Sequence, residues 1–324
     1  MLAPRPLLLA LAAALMAMSP DPAQAEYPDR PVTAIVPFAP GGPAEIIGRI
    51  LSTFMPQTLG QSVIIENRGG AAGNIGMGQA ARAKPDGYTL LMTSTAISVN
   101  TALFNNLPYD PIKDFAPISE LVNAPNVLVV RPDSGIATIA ELVTRVKSQP
   151  NTFSYGSPGA GTKSHLTGEQ LKLRAGIDMV HVPFRGAGPA AQAVLAGQIQ
   201  VASVALAAAE PLVKSGDLRA LAVTGAQRWF SLPDVPTMIE SGYPGFVSDT
   251  FNALFAPAGT PHDIIAVLLT ASQAAMNRPE AADAARKAGF QIVASGPAQL
   301  ARRVAAEIDG VKELVARAGT KPEN

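Results

Sequence analysis

Residues 155–165 read Tyr-Gly-Ser-Pro-Gly-Ala-Gly-Thr-Lys-Ser-His, placing glycines, a serine, a lysine and a histidine within one short stretch. Three chemistries could use them. A phosphate loop needs Gly-x-x-x-x-Gly-Lys-Ser/Thr, so that backbone amides ring the phosphates while the lysine reaches over them. Gly156 and Gly161 have that separation, but Thr162 stands before Lys163 and the register is broken. A nucleophilic serine sits in Gly-x-Ser-x-Gly. Around Ser157 the first glycine is replaced by Tyr155, and Pro158 fits poorly in a turn that enters a helix directly. A catalytic triad would also need one of the three histidines, His165, His181 or His262, beside Ser157 with a carboxylate orienting it. The third chemistry is grip without reaction. A glycine-rich turn entering a helix presents unpaired N–H groups and the positive end of the helix dipole, which together hold an anion.

The chain supplies four such turns: residues 39–44 (APGGPA), 93–96 (TSTA), 157–164 (SPGAGTKS) and 185–188 (RGAG). Each follows the carboxyl end of a predicted strand, where open α/β sheets bind ligands. Ser and Thr add hydroxyls, and Lys163 and Arg185 add charge. Together they predict a cleft for a small carboxylate. A dinucleotide-like GMGQAA at residues 76–81 falls inside a predicted helix and reads as helix packing. His165 is expected on the first turn of the following helix in a capping or packing role. Three scattered histidines and no cysteine offer no metal-ligand spacing, and no cofactor is expected.

The elements that must position these turns are legible from periodicity. Residues 32–38 (VTAIVPF) are nearly continuously apolar, as in a strand buried on both faces. A helix follows in PAEIIGRILSTF, with Ile46, Ile47, Ile50, Leu51 and Phe54 on one face and Pro43 in the first turn. Strands at 63–67 and 88–94 flank a helical stretch at 74–83. The alternation resumes at 126–130, with Thr138 and Glu141 forming a capping box for a helix through Val146. Strands FSYGS, DMVHVPF, IQVASVAL and LRALAVT follow between helices, then TFNALFAP and a helical tail from Pro261 to about Arg317. This is the βαβ order of an α/β fold. TAIVPFAPGG and MVHVPFRGAG echo each other as strand, Val-Pro-Phe, glycine turn and helix, and suggest two similar lobes.

The first 25 residues carry one cation, Arg5, an apolar run at 7–18 and Ala23-Gln24-Ala25, the layout of an export signal cleaved near Ala25. With 25 basic and 25 acidic residues, the chain has no electrostatic footprint for nucleic acid or an anionic membrane. The absence of cysteine excludes disulfides and thiol chemistry. An exported chain of this length must then be held by core packing, most naturally as two lobes.

Over the whole mature length the sequence resembles the periplasmic solute-binding receptors of tripartite tricarboxylate transporters, the Bug family. The resemblance is carried by YPDRPVTAIVPFAPGG, VIIENRGGAAGNIG, PDGYTLL, LPYDPIKDFAPIS, MVHVPFRGAGPA, LRALAVT, LPDVPTMIESGYPGF and FAPAGTP, in that order. It implies a type II periplasmic binding-protein clamshell: two Rossmann-like lobes, residues 26–124 with 250–324 and residues 125–249, joined by two crossover segments near 122–130 and 248–255. It implies a ligand carboxylate held by Phe38, Ala39, Gly41, Gly42, Pro43, Ala44, Thr93, Ser94 and Thr95 of the first lobe. Ser157, Gly161, Thr162, Lys163, Ser164, Arg185 and Gly186 would hold it from the second. It further implies a non-enzymatic monomer that docks in the periplasm on a permease of one large and one small membrane subunit. Signalling to a membrane sensor kinase is an alternative output, and a secreted serine hydrolase using Ser157 a more distant one. The sequence departs from the family pattern at Ala44 and Glu45, where Thr-Asp is usual, and at Val204, where an aspartate is common. The loss at Val204 argues against amino acids and toward plain or aromatic acids. Lys163 replaces a small polar residue and either meets a second ligand carboxylate or is a solvated lysine.

Overall fold

Strand β1 (Val32–Val36) is the centre of the first half of the sheet, buried along nearly its whole length and parallel to β2 (Val63–Asn67) and β3 (Thr89–Ser94). The computed structural model to which it belongs describes residues 27–318 apart from 39, 41, 42, 161 and 185. The expected export signal and its cleavage point lie outside the described residues. β3 pairs antiparallel with β9 (Asp249–Pro257), and β9 with β4 (Phe115–Val130). β4 is sixteen residues long and changes partners part-way: residues 115–125 pair with β9, and residues 126–130 with β7 (Val201–Ala205) and β8 (Arg219–Val223). β7 continues to β5 (Ser154–Ser157) and β5 to β6 (Val180–Pro183), both parallel.

Helices cover both faces of each half. In the first, α1 (Pro43–Phe54), α2 (Pro56–Leu59), α9 (His262–Met276) and α10 (Pro279–Lys287) close one face. α3 (Asn74–Ala81), α4 (Ala96–Leu103) and α11 (Pro297–Ala318) close the other. In the second half, α5 (Ile139–Ser148) and α6 (Lys163–Ala175) lie on one face, and α7 (Ala187–Leu195) with α8 (Leu206–Lys214) on the other. Strands buried on both faces explain why the chain reads as apolar runs rather than alternating patterns. Thr138 caps α5 as expected, its hydroxyl accepting from Glu141 N at 3.1 Å, while Glu141 Oε2 reaches one residue beyond the box's own partner and accepts from Ala137 N at 2.6 Å. Gly76 lies in α3, where a Cβ would stand 2.6 Å from the Arg68 carbonyl and 2.8 Å from Pro37 Cβ, so the GMGQAA stretch is close helix packing.

Three expectations are corrected. The strand expected at 126–130 begins eleven residues earlier. Pro117 and Pro125 read as breakers because they cannot donate to a ladder, yet β4 accommodates them, with register shifts between Pro117 and Ser119 and between Glu120 and Val122. The helical tail is broken at Gly289 (φ +80°), after which β10 (Gln291–Ile292) pairs back onto β4 at Val122 and Asn123. The Val-Pro-Phe echo joins elements in different places. β1 is central, whereas β6 pairs with β5 alone. The strand order β2-β1-β3 is matched by β6-β5-β7, so the counterpart of the turn after β1 is the turn after β5.

Candidate functional site

The first-half residues gather where β1 and β3 end. Phe38 is half-buried against the core, and its carbonyl accepts from Asn67 Nδ2 at 3.1 Å, tying the turn after β1 to the end of β2. Ala44 and Glu45 are buried in the first turn of α1, where the Glu45 carboxylate accepts from Arg49 Nε at 2.8 Å. The long acid thus folds along its own helix and places negative charge at the positive end of the α1 dipole. Thr93 is buried with its hydroxyl toward Met77 Sδ, and Thr95 is buried with its N–H donating to the Phe251 carbonyl at 3.2 Å. Ser94 Oγ accepts from Ala96 N at 3.3 Å, and the first carbonyl acceptor of α4 serves Ser98 and Val99. The Ile97 N–H precedes that acceptor and has no partner within its helix.

The second-half residues gather where β5 and β6 end. Thr162 caps α6: its hydroxyl accepts from His165 N at 3.2 Å and donates to the Gly159 carbonyl at 2.8 Å. The first intrahelical bond runs from Leu166 N to Thr162 O, leaving the Lys163 and Ser164 N–H groups without an intrahelical acceptor. Gly186 (φ +124°) donates its N–H to the Pro158 carbonyl at 3.1 Å, joining the turns after β6 and β5. The expected contacts Ala39, Gly41, Gly42, Gly161 and Arg185 lie outside the described residues, and the bound on Pro43 is that it begins α1.

Helix α11 links the two gatherings. Val99 and Ala102 of α4 share one apolar cluster with Leu166 of α6 and with Val311 and Val315 of α11. Val99 and Leu166 are each the fourth residue of their helix, and both α4 and α6 pack on α11 through this cluster. Each helix N-terminus presents unpaired N–H groups and a positive dipole end, the features that hold a small anion.

Several side chains are committed elsewhere. The Lys163 ammonium pairs with Glu307 of α11, both side chains nearly buried at 13% and 10% exposure. It is therefore neither solvated nor open to a ligand unless Glu307 is displaced. Ser164 Oγ donates to Asn126 Oδ1 at 2.6 Å. Asn126 is the residue at which β4 changes partners, and its Nδ2 donates to the Ser248 carbonyl at 2.9 Å, while Thr167 Oγ1 and Ser248 Oγ bond at 2.6 Å. At the neighbouring position Arg303 of α11 pairs with Asp249, which also accepts from Asn123 Nδ2 at 3.2 Å. Glu120 is buried there, and burial pushes its carboxyl above the usual range, opposed by Arg303 and reinforced by Asp249 and Glu307. Sequence reasoning missed Asn126, Asp249, Arg303 and Glu307, because their partners lie far along the chain.

Ser157 is completely buried at the end of β5, with its Oγ 2.7 Å from His181 Nε2. The His181 ring stacks on His165, centroids 4.0 Å apart, and lies 5.0 Å from the Tyr155 ring. Burial, with His165 and Lys172 adding to it, pushes His181 down to about 4, and burial likewise lowers His165. The carboxylate on this cluster, Glu169, accepts from the Tyr155 hydroxyl; among the described residues none is hydrogen-bonded to His181. The Ser157 hydroxyl has no exposed surface and is spent within the turn, on His181 and on both backbone groups of Gly159.

A two-part α/β sheet with matched strand order is the architecture of the periplasmic binding proteins. A family model described as tripartite tricarboxylate transporter family receptor matches residues 47–320, and the chain belongs to that family of substrate-binding receptors. Protein BugT of Bordetella pertussis is 34% identical over 297 residues, 91% of each chain. The structure of periplasmic binding protein BugD is 35% identical with a TM-score of 0.74, covering 92% of this chain and all of that one. A structure of an R. palustris protein with adipate is 31% identical with a TM-score of 0.77, covering 92% of this chain and 100% of that one. MatC of Rhodopseudomonas palustris, with bound malate, is 33% identical with a TM-score of 0.73, covering 89% and 100%.

Proposed function

We propose that this receptor captures a small organic carboxylate between the ends of β1 and β3 on one side and β5 and β6 on the other, and hands it to the membrane subunits of a tripartite transporter. The observation that supports the reading is that α4 and α6, which begin at the carboxyl ends of β3 and β5 and leave the Ile97, Lys163 and Ser164 amides without an intrahelical acceptor, both pack on α11 through one apolar cluster. The adipate and malate in two relatives of this fold support the ligand class. The lobes are residues 26–124 with 250–324 and residues 125–249, a division supported by cores that draw on residues 32–124 and 254–290 for the first and 127–246 for the second. The protein acts as a monomer in the periplasm after losing its leader, and it binds without turnover. Closure follows from ligand contacts that exist only when both lobes reach the anion, since a ligand shifts a conformational equilibrium only through differential affinity. No helix of the described residues is long and apolar enough to cross a membrane.

Thermal melting of the ligand-stripped mature protein against mono-, di-, tri- and aromatic carboxylates and amino acids tests this. An acid at a hundredfold its Kd adds about 2.7 kcal/mol of stability. A shift confined to a subset of the acids is expected; a panel with no shift refutes the reading.

A further inference from the structure

We propose that His181 is the positioning residue of the carboxylate-binding turn: its imidazole fixes the Ser157 hydroxyl, and through it the cap that aims the first amides of α6. The assignment rests on the receptor reading above and adds to it a residue that touches no ligand.

The chain of contacts is continuous. His181 Nε2 lies 2.7 Å from Ser157 Oγ. That hydroxyl meets both backbone groups of Gly159, its carbonyl at 3.0 Å and its N–H at 3.3 Å. The Gly159 carbonyl in turn receives the Thr162 hydroxyl at 2.8 Å and the Thr162 N–H at 3.4 Å, and Thr162 is the N-cap whose helix presents the Lys163 and Ser164 amides. Gly159 sits at φ +150°, a conformation that its own residue type permits but does not select. Selection falls to the hydroxyl and its histidine.

The link works with either imidazole tautomer. If Nε2 carries the proton, it donates to Ser157, whose single hydrogen goes to the Gly159 carbonyl. If Nε2 is bare, it accepts that hydrogen and the Gly159 N–H donates to Ser157. The ring itself is immobilised on two sides, stacked on His165 of α6 and packed against Tyr155, its direct neighbour in the β5 and β6 ladder. An apolar residue of similar size would fill this space, but it would leave a fully buried hydroxyl with one partner fewer and the turn free to choose another arrangement. Histidine supplies both the shape and the bond.

The test is calorimetric titration of the mature protein with adipate, malate, succinate, benzoate and glutamate. The assignment expects His181→Leu and Ser157→Ala each to weaken the acids that wild type binds by on the order of tenfold, the effect of one misdirected hydrogen bond. His181→Gln keeps a polar nitrogen near the place of Nε2 while losing the ring stack, and it is expected to bind within about twofold of wild type. The double variant His181→Leu with Ser157→Ala should be no weaker than Ser157→Ala alone, because both act through one contact. Wild-type affinity in His181→Leu, equal weakness in His181→Gln, or additive losses in the double variant each overturn the assignment. Should His181→Leu fail to fold, His181→Gln and Ser157→Ala decide it alone. A wild type that binds none of the five acids overturns the receptor reading and this assignment with it.

Discussion

The ion pair between Lys163 and Glu307 joins the first residue of α6 to the last long helix, across the boundary between the two halves of the sheet. Removing one partner of a buried pair leaves the other charge desolvated and uncompensated, which costs about 3 to 5 kcal/mol. The side chains here keep 13% and 10% exposure, so we expect somewhat less than that range, about 2 to 3 kcal/mol. The two singles should also differ. Lys163→Met leaves Glu307 facing Glu120 with only Arg303 to offset it, whereas Glu307→Gln leaves an ammonium beside an uncharged amide. Lys163→Met is thus the costlier change. The double variant Lys163→Met with Glu307→Leu should lose less than the sum, since two apolar side chains then meet beside Leu166 and Val311. Urea unfolding of the four proteins, with a coupling energy of about 1.5 kcal/mol or more, would bear this out. Losses under about 0.5 kcal/mol in both singles would show an exposed, screened contact and refute the argument.

Two further outcomes follow from packing and protonation. Gly168→Ala places a Cβ 2.1 Å from Tyr155 Cε2, so we expect a loss of about 1 to 3 kcal/mol by denaturant unfolding, with Tyr155 displaced from Glu169; an unchanged midpoint would contradict the contact. His181 is held neutral in the folded state down to about pH 4 against an ordinary value of 6.5. The unfolded chain therefore binds the extra proton first. Stability is full above pH 6.5, falls as the pH drops toward 4 by at most about 3 kcal/mol, and levels off below. Unfolding of wild type and His181→Gln at several pH values measures this, and an identical pH dependence in both would disprove it.

Much of the fold was legible because its signals are local. α1 matches its expected bounds at Pro43 and Phe54, β2 matches at Val63 and Asn67, and the Thr138 hydroxyl caps α5 as expected. What escaped reading depends on partners far along the chain. Pro117 and Pro125 argue against a strand until β9, more than a hundred residues later, supplies a ladder with shifted register. Glu307 lies 144 residues from Lys163, and His181 is 24 residues from Ser157 on a different strand. The Val-Pro-Phe echo carried the likeness of the two halves but not which strands correspond: short sequence likeness reports local chain path, while a strand's rank in a sheet is set by its neighbours. The turns were identified from glycine spacing and the carboxyl ends of strands, but the hydroxyls and charges around them turned out to serve one another.

β9 has a consequence for the order in which the chain acquires structure. Leu91 of β3 pairs with Phe255, and Phe115 of β4 with Pro257, so the first half closes only when the last quarter of the chain is present. The second half is built from one contiguous stretch: its last strand, β8, ends at residue 223 and its core is complete with Phe246. Loop closure over longer separations is slower, and nascent chains emerge amino end first. The segment synthesised second is thus the first that can complete its core, while the segment synthesised first waits, with β3 unpaired along one edge, for the carboxyl-terminal strand and helices to arrive.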